Sequence, residues 1–337
     1  MRSLVLLAIT TWLAAAPLSA QAPAGEPATA RWFKGNTHAH TLNSDGDSAP
    51  DEVVRWYREQ RYHFLVVTDH NLVTPVDGLN AAFAFEDQFL VIAGEEISDR
   101  AGGKPVHVNA LGVRTAIPPQ GGASVAEALQ RDVAAAQAAG APAQINHPNF
   151  GWAVAASDVP ASPVPLLLEI FNGHPQVNNL GGGDAPGAEG LWDDWLSSGR
   201  TVFAVASDDT HHLKRPWDRQ ASRPGRGWVM VRATTLSADA ILGALLRGEF
   251  YASTGVELSD WQATPRGVSI AVRPQGTTRV RVEVGGRGGR VLHRVDAADA
   301  EYRFTGDEGY VRARVTDSNG QMAWTQPAFV AAPGTGR

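Results

Sequence analysis

The sequence predicts an α/β fold followed by a small all-β sandwich, and three observations support this prediction. Strand and helix patterns alternate over about 220 residues, which favours a largely parallel sheet, open or closed into a barrel. Polar residues follow the ends of several of these strands, which is where functional sites lie in such folds. From about residue 256 onward, apolar residues alternate with period two and no helical pattern returns. We therefore expect an α/β domain over residues 31–255 and a β-sandwich over residues 256–337.

The composition is that of a globular protein with a sizeable core. Of the 337 residues, 43% are hydrophobic, and the length is compatible with two domains. The formal net charge is −6 and Lys and Arg form no block, so the sequence indicates neither a nucleic-acid surface nor a polybasic membrane patch. We expect a small-molecule partner rather than a nucleic-acid polymer, and the oligomeric state stays open.

The N-terminus has the pattern of a secretory signal peptide. Arg2 precedes an apolar stretch at 4–16, and a small-residue cleavage signal precedes Gln21. We predict a signal peptide at 1–20 and a disordered Ala- and Pro-rich leader at 21–30. The chain contains no cysteine, so we expect no lipid anchor at the cleavage site and no disulfide. A periplasmic or secreted protein, without a membrane anchor after cleavage, is the expected product.

Hydrophobic periodicity and cap residues predict the elements of the α/β part. Ser124 precedes an alanine-rich stretch and Glu127 follows three residues later, which is the spacing of a helix capping box. A Gly-, Asn- and Pro-rich segment at 175–190 predicts a long loop of the kind that carries substrate contacts. In chain order we predict a strand–turn–helix–strand unit at 32–71, strands at 88–97, 106–112, 143–146, 166–171, 201–206 and 227–233, and helices at 124–139, 191–198 and 238–247.

The pattern of the last part of the chain predicts short strands separated by polar or Gly-rich turns. Five or six such strands in about 80 residues are typical of a small sandwich. We predict these strands at 268–272, 279–284, 302–304, 310–316 and 324–330.

The stretch from residue 32 to 71 contains the densest group of potential metal ligands. His38 and His40 lie two apart at the end of an extended segment, so their imidazoles point to the same face. Asp45 follows in a Ser-Asp-Gly turn, and His70 follows the next strand. Imidazoles with a carboxylate are the ligands that Zn²⁺, Mn²⁺ and Fe²⁺ prefer, so the sequence predicts a metal site here.

These motifs and their order resemble the polymerase and histidinol phosphatase (PHP) superfamily over about residues 33–212. The motifs are H-x-H-T at 38–41 with S-D-G at 44–46, T-D-H at 68–70, G-x-E-I-S at 94–98, N-H-P at 146–148 and S-D-x-x-H at 207–211. The segment L-E-I-F-N-G at 168–173 and the C-terminal sandwich resemble the secreted, carbaryl-hydrolase-like branch called CehA/McbA.

The resemblance implies a distorted (β/α)₇ barrel that holds two or three divalent metal ions, of Zn, Mn or Fe. By analogy, one metal is bound by His38, His40 and Asp209, a second by His107 and His147 with Glu96 as a bridge, and a third by Asp45, His70 and His211.

Two of these ligands stand beside a second carboxylate. The motif selects Glu96 over Glu95, which must then face away because adjacent strand residues alternate. It selects Asp209 with His211 over Asp208, since residues two apart share a face. Asp69, next to His70, is expected to orient a ligand by a hydrogen bond.

The resemblance implies an exported metal-dependent hydrolase, most readily a phosphoesterase acting on a mono- or diester through a metal-bound hydroxide at a di- or trinuclear site. His211 or His174 could protonate the leaving group, and Glu169 is either an acid or a substrate hydrogen-bond acceptor. Candidate substrate-binding residues in segments near the ligand strands are Arg100, Lys104, His212 and Lys214.

Two alternatives remain open. The carbaryl-hydrolase-like resemblance allows cleavage of a carbamate, ester or amide, because the same attack works on carbonyl and phosphoryl centres. A third possibility, of another class, is a non-catalytic surface module that binds a glycan or protein. Metal content separates that class from the hydrolases.

Overall fold

The computed structural model describes residues 29–330 of the chain. The predicted signal peptide, and the predicted leader up to residue 28, lie outside the described residues. The strands are β1 Arg31–Asn36, β2 Phe64–Val67, β3 Leu90–Ala101, β4 Lys104–Leu111, β5 Ala143–Ile145, β6 Leu166–Asn172, β7 Val202–Ser207, β8 Trp228–Ala233, β9 Phe250–Ser253, β10 Leu258–Thr264, β11 Gly267–Val272, β12 Val280–Gly286, β13 Arg290–Val295, β14 Asp299–Arg303, β15 Tyr310–Asp317, β16 Met322–Thr325 and β17 Ala328–Phe329. The α-helices are α1 Pro50–Glu59, α2 Asp77–Phe83, α3 Val125–Ala138, α4 Ala188–Ser197 and α5 Ala238–Arg247.

Helix α3 forms where its cap and its apolar spacing predict it. The Ser124 hydroxyl accepts a hydrogen bond from the backbone N–H of Glu127 at 3.2 Å, which satisfies one of the free donors of the first turn. Leu129 and Val133, four residues apart, are buried on one face of the helix. Helix α2, by contrast, has no counterpart in the sequence prediction.

The sheet is mixed rather than wholly parallel. Parallel ladders join β1 to β2 and β2 to β3, and again β5 to β6 and β6 to β7. Between these two sets, β4 is antiparallel to both β3 and β5. Strands β3 and β4 form a long hairpin, whose turn at Gly102 and Gly103 uses positive φ angles of 57° and 80°.

The predicted seven-stranded closure is not confirmed. Strands β1 and β7 meet only through an isolated parallel bridge between Ala39 and Thr210, beyond their ends. Farther along β7, both backbone groups of Ala204 bond to the side-chain amide of Gln326, at 2.8 and 2.9 Å. From β1 the sheet continues through β8 and β9 into β16 of the C-terminal region. The molecule is therefore a mixed α/β structure, with its parallel ladders in the first part and a C-terminal antiparallel β region.

Two antiparallel layers form the C-terminal region. One is the end of the large sheet and contains β12, β13, β15 and β16, and the other is a separate sheet of β10, β11 and β14. Trp261, Ile270, Val284 and Val315 are among the buried residues of their shared core. The predicted boundary after residue 255 stays a prediction, because β9 pairs with β16 across it. In the described part of the chain, none of the helices combines the length and apolar character needed to cross a bilayer.

Candidate metal centre

The candidate ligands lie at or beyond the ends of neighbouring strands. His38 and His40 follow β1, and a backbone bridge joins His70, just after β2, to Glu96 in β3. Because parallel strands present their carboxyl ends at one edge of a sheet, these side chains converge there. The other ligand candidates come from the turn after β1, from β4 and from the segments after β5 and β7, and these are Asp45, His107, His147, Asp209 and His211.

Within residues 29–330, four overlapping groups of side chains could each hold a metal ion. All nine predicted ligands belong to at least one group, and His38, His40, His70 and Glu96 each belong to two. The groups are His40 with Asp45, His70 and His211; His38 with His147 and Asp209; His38 with His40 and Glu96; and His70 with Glu96 and His107. The grouping differs from the expected one in that His147 lies with His38 and Asp209, whereas His107 lies with His70 and Glu96.

The arrangement of donor atoms fits a metal better than it fits hydrogen bonding. The Nε2 atoms of His38 and His40 face each other at 3.1 Å. Oε2 of Glu96 is buried and receives no hydrogen bond, although His70 Nδ1 and His40 Nε2 lie 2.9 and 3.3 Å away. Oδ1 of Asp209 lies 3.2 Å from the same His40 Nε2. Lone-pair donors that converge in this way are typical of ligands around a cation.

The pKa shifts of the buried carboxyls and imidazoles also favour a metal site. Burial would raise the pKa of the Glu96 carboxyl, but the neighbouring imidazoles of His107 and His38 hold that pKa well below its usual value. Burial would likewise raise the pKa of Asp209, and His38 keeps it well below normal. Conversely, burial would lower the pKa of His38, but Asp209 and Glu169 raise it well above its usual range. The buried carboxylates are therefore stabilised by nearby positive charge, which divalent ions would supply.

Glu169 lies behind the centre and not in it. Its carboxylate is only 1% exposed and accepts from His38 Nδ1 at 2.7 Å and from the His147 backbone N–H at 2.7 Å. Gln144, Asn172 and the hydroxyl of Ser207 donate to it as well. A carboxylate that holds Nδ1–H turns Nε2 toward the metal. The expectation that Glu169 protonates or binds substrate stays a prediction, and the five donors that enclose its carboxylate favour a supporting role instead.

Backbone geometry fixes two further ligands. Asp209 and His147 have positive φ angles of 51° and 25°, a region that is sparsely populated and costly for residues other than glycine. The carbonyl of Asp209 lies 2.9 Å from His211 Nδ1, so this nitrogen carries the proton and Nε2 faces Asp45 Oδ1 at 3.3 Å. His211 is therefore oriented as a ligand rather than as a proton donor.

Asp69 supports the turn that carries Asp45. Its carboxylate accepts from the Thr41 backbone N–H at 2.7 Å, from the Thr41 hydroxyl at 2.8 Å and from the Ser44 hydroxyl at 2.7 Å. Asp208 supports a different segment, accepting from three backbone N–H groups at residues 225–227. Glu95 faces away from the centre and accepts from the Ile117 N–H.

A cavity of about 340 Å³ opens onto the centre. Besides ligands, its wall contains His174, Gln176, His212 and Phe150. The Gln176 backbone N–H points at His174 Nδ1 at 3.2 Å, and the Ser222 N–H points at His212 Nδ1 at 3.2 Å. Burial lowers the pKa of both imidazoles. Each is therefore neutral near pH 7 and carries its proton on Nε2, where it can donate.

The three predicted cationic residues do not line this cavity. Arg100 bonds to the carbonyl of Gly103 at 3.2 Å, and Lys104 bonds to the carbonyl of Trp152 at 2.9 Å. Both lie near the tip of the β3–β4 hairpin, because β3 runs past Glu96 instead of ending there. Lys214 pairs with Glu52 at 3.3 Å. Only His212, of the predicted substrate-binding residues, is part of the wall.

Sequence reasoning missed Asn172, which connects three parts of the site. Its Nδ2 donates to Glu169 at 2.8 Å and to Oδ2 of Asp209 at 3.2 Å. Its Oδ1 accepts from the backbone N–H of His174 at 2.8 Å. The sequence did offer one indication of a role for Asn172, because this residue directly follows Glu169-Ile170-Phe171 at the end of a buried strand. Phe150 was also missed, since nothing in its local sequence indicates a cavity wall. Gln176 lies in the loop at 175–190 that was expected to carry substrate contacts, although the residue itself was not singled out.

The chain is similar to the crystal structure, at 2.20 Å resolution, of a two-domain protein from Bacteroides vulgatus ATCC 8482 containing a predicted PHP-like metal-dependent phosphoesterase. The two share 17% identity over 91% of this chain and 94% of that chain, with a TM-score of 0.47. No protein-family model matches the chain, and the comparison with curated proteins finds no match. The fold and the centre described above therefore rest on the residues and contacts of this chain.

Proposed function

We propose that the protein is a metal-dependent hydrolase that cleaves phosphoesters, either monoesters or diesters. One observation carries this proposal: four overlapping ligand groups, built from His, Asp and Glu, open into a single cavity. Ligands that belong to two groups at once support a site for two or three ions. Imidazole and carboxylate ligands suit Zn²⁺, Mn²⁺ and Fe²⁺ alike.

Divalent ions in such a centre lower the pKa of water and stabilise negative charge on an attacked phosphoryl group. The protein's own contribution is orientation. Glu169 fixes the ring of His38, and the carbonyl of Asp209 fixes that of His211. These contacts hold the Nε2 atoms in place before substrate arrives.

The two neutral imidazoles of the cavity have separate tasks in this proposal. As the oxygen of water bonds to phosphorus and the ester P–O bond breaks, His174 Nε2–H donates a hydrogen bond that stabilises the negative charge developing on the departing oxygen. The neutral ring keeps its proton, and the departing oxygen is protonated from solvent. His212 Nε2–H donates a hydrogen bond to a non-bridging oxygen and keeps its proton.

A second candidate function is hydrolysis of a carbamate, ester or amide. It is favoured by the non-ligand wall, because Phe150, His174, Gln176 and His212 are all uncharged there. A neutral substrate would meet no unpaired charge in that wall. A non-catalytic binding module is the third candidate.

The first experiment measures hydrolysis of a p-nitrophenyl phosphomonoester, a phosphodiester and a carboxyl ester, each with Mn²⁺, Zn²⁺ or a chelator. Metal-dependent phosphoester cleavage that is lost in His40→Ala is the expected result. Turnover of only the carboxyl ester would move the protein to the second candidate. Purified protein that binds no divalent metal, by elemental analysis, would contradict both hydrolases and leave the binding module.

Export to the periplasm or the medium is also proposed, from the signal-peptide pattern at 1–20. Expression of the full chain in a Gram-negative host, with fractionation and N-terminal sequencing, tests it. A mature protein beginning at Gln21 in the periplasm is expected. Intact protein confined to the cytosol would contradict export.

A further inference from the structure

Phe150 is the apolar member of the cavity wall, among imidazoles, carboxylates and one amide. Its ring stands edge-to-face against His147, with centroids 5.4 Å apart, and against His174, with centroids 6.0 Å apart. It thus lies between His147, a candidate metal ligand, and His174, the imidazole proposed to hydrogen-bond the departing oxygen. The ring is partly exposed, and this exposed part faces the cavity.

Neighbouring contacts hold this ring in place. The backbone N–H of Phe150 bonds to the His147 carbonyl at 2.8 Å, at the start of a short 3₁₀ turn. The buried side chain of Asn149 donates to the carbonyls of Asn178 and Pro186, at 2.9 and 3.0 Å. These hydrogen bonds connect the 178–186 loop to the turn in which Phe150 lies. The subsite is therefore formed before substrate binds.

The position of His174 determines what the ring contacts. If His174 Nε2–H donates a hydrogen bond to the departing oxygen, then the carbon group on that oxygen lies beside the neighbouring ring of Phe150. Apolar carbon buried against this ring is removed from water, which strengthens binding with every methylene. A charged or strongly polar group would lose hydration there without gaining a partner.

We propose that Phe150 forms an apolar subsite that binds the organic group of the leaving alcohol. This inference rests on the proposed phosphoesterase function and narrows its substrate class to esters of apolar alcohols. Phe150 acts as a specificity-determining residue, and His174 remains the hydrogen-bond donor to the departing oxygen.

The test uses n-alkyl phosphates and methyl n-alkyl phosphates, from ethyl to hexyl, with alcohol release as the readout. Leaving-group reactivity is nearly constant along each series, so chain length isolates apolar contact. We expect kcat/KM of the metal-loaded enzyme to rise roughly threefold for each methylene until the subsite is full. In Phe150→Ala this rise should flatten, while the rate for the ethyl ester changes little.

Trp217→Ala is the matched control, since Trp217 is 79% exposed and is not part of the cavity wall. This variant should keep the wild-type dependence on chain length. A flat dependence in the wild type, or an equal loss for all chain lengths in Phe150→Ala, would overturn the inference alone. Absence of alcohol release from every ester, with metal bound, would overturn the proposed function and this inference with it.

Discussion

At the scale of single residues, the candidate centre depends on side chains that do not face the cavity. Glu169 and Asn172 contact the ligands from behind, and Asp69 shapes the turn before Asp45. Such supporting contacts fix ring orientation and the proton position on each imidazole. Their loss is therefore expected to weaken metal binding.

Replacing Glu169 by Gln tests whether it is a support or an acid. The neutral amide holds His38 Nδ1–H less strongly, so we expect metal affinity to fall about 10- to 100-fold. At saturating metal the pH dependence of kcat/KM should match that of the wild type, because Glu169 is not part of the cavity wall. Metal titration and pH profiles measure both quantities. Loss of a basic limb that the wild type shows would instead identify Glu169 as a proton donor. Glu301→Gln, at an exposed position on β14, is the control.

Replacing Asn172 by Ala removes its bonds to Asp209, Glu169 and the His174 backbone together. We expect metal affinity to fall about tenfold or more, with a lower kcat at saturating metal because His174 is no longer held. Equilibrium dialysis and steady-state kinetics measure these effects. Asn319→Ala, at an exposed turn, should leave both unchanged. Wild-type metal affinity in the Asn172 variant would show that the contact has no positioning role.

At the scale of elements, the edge of β7 has an unusual partner. Both backbone groups of Ala204 are buried and bond to the side chain of Gln326, which takes the place of a neighbouring strand. Gln326 is itself only 2% exposed. A side chain from the C-terminal region therefore completes the hydrogen bonding of a strand that leads to Asp209.

Gln326→Ala should consequently destabilise the fold. It leaves one buried N–H and one buried C=O without partners, which costs about 2–4 kcal/mol of unfolding free energy. Urea denaturation followed by circular dichroism provides the measurement. Gln262→Ala, at an exposed position of β10, should change stability by less than about 0.5 kcal/mol. Equal stability of the two variants would mean that water replaces the amide at Ala204.

At the scale of the whole molecule, local patterns predicted the site better than the closure of the sheet. The pair His38 and His40 needs only the period of an extended chain to share a face, and their Nε2 atoms do meet. The hairpin tip that holds Arg100 and Lys104 was missed, because the pattern does not show that β3 continues past Glu96. The bond between Gln326 and Ala204 joins residues 122 positions apart, and no local signal encodes such a contact.

The C-terminal region and the α/β part are also joined by buried charges. Arg312 on β15 bonds to both carboxylate oxygens of Asp193 on α4, at 2.8 and 2.6 Å, and to Glu189 at 2.8 Å. The hydroxyl of Tyr310 donates to the same Asp193 at 2.7 Å. Because buried charges are costly when unpaired, these contacts specify how the two parts dock.

The pH dependence of stability should reveal a buried carboxyl that belongs to neither the ligand groups nor the cavity wall. Burial, with a contribution from Asp99, raises the pKa of Asp132 to about 7, although the Gln120 N–H partly opposes this. The folded state thus binds this proton more tightly than the unfolded state, where the pKa is about 3.9. The stabilisation from the protonated form is fully present below pH 4 and is lost as the pH rises from about 4 to 7.

Asp132→Asn should therefore gain stability relative to the wild type as the pH rises from 5 to 8, by about 2 kcal/mol at pH 8. Its Oδ1 can still accept from Gln120, so the loop contact is preserved. Urea unfolding of both proteins at pH 5, 6, 7 and 8 measures the difference. Asp299→Asn, at an exposed position of β14, should show a difference that does not vary with pH. A pH-independent difference for Asp132→Asn as well would mean that the wild-type carboxyl stays ionised in the folded protein.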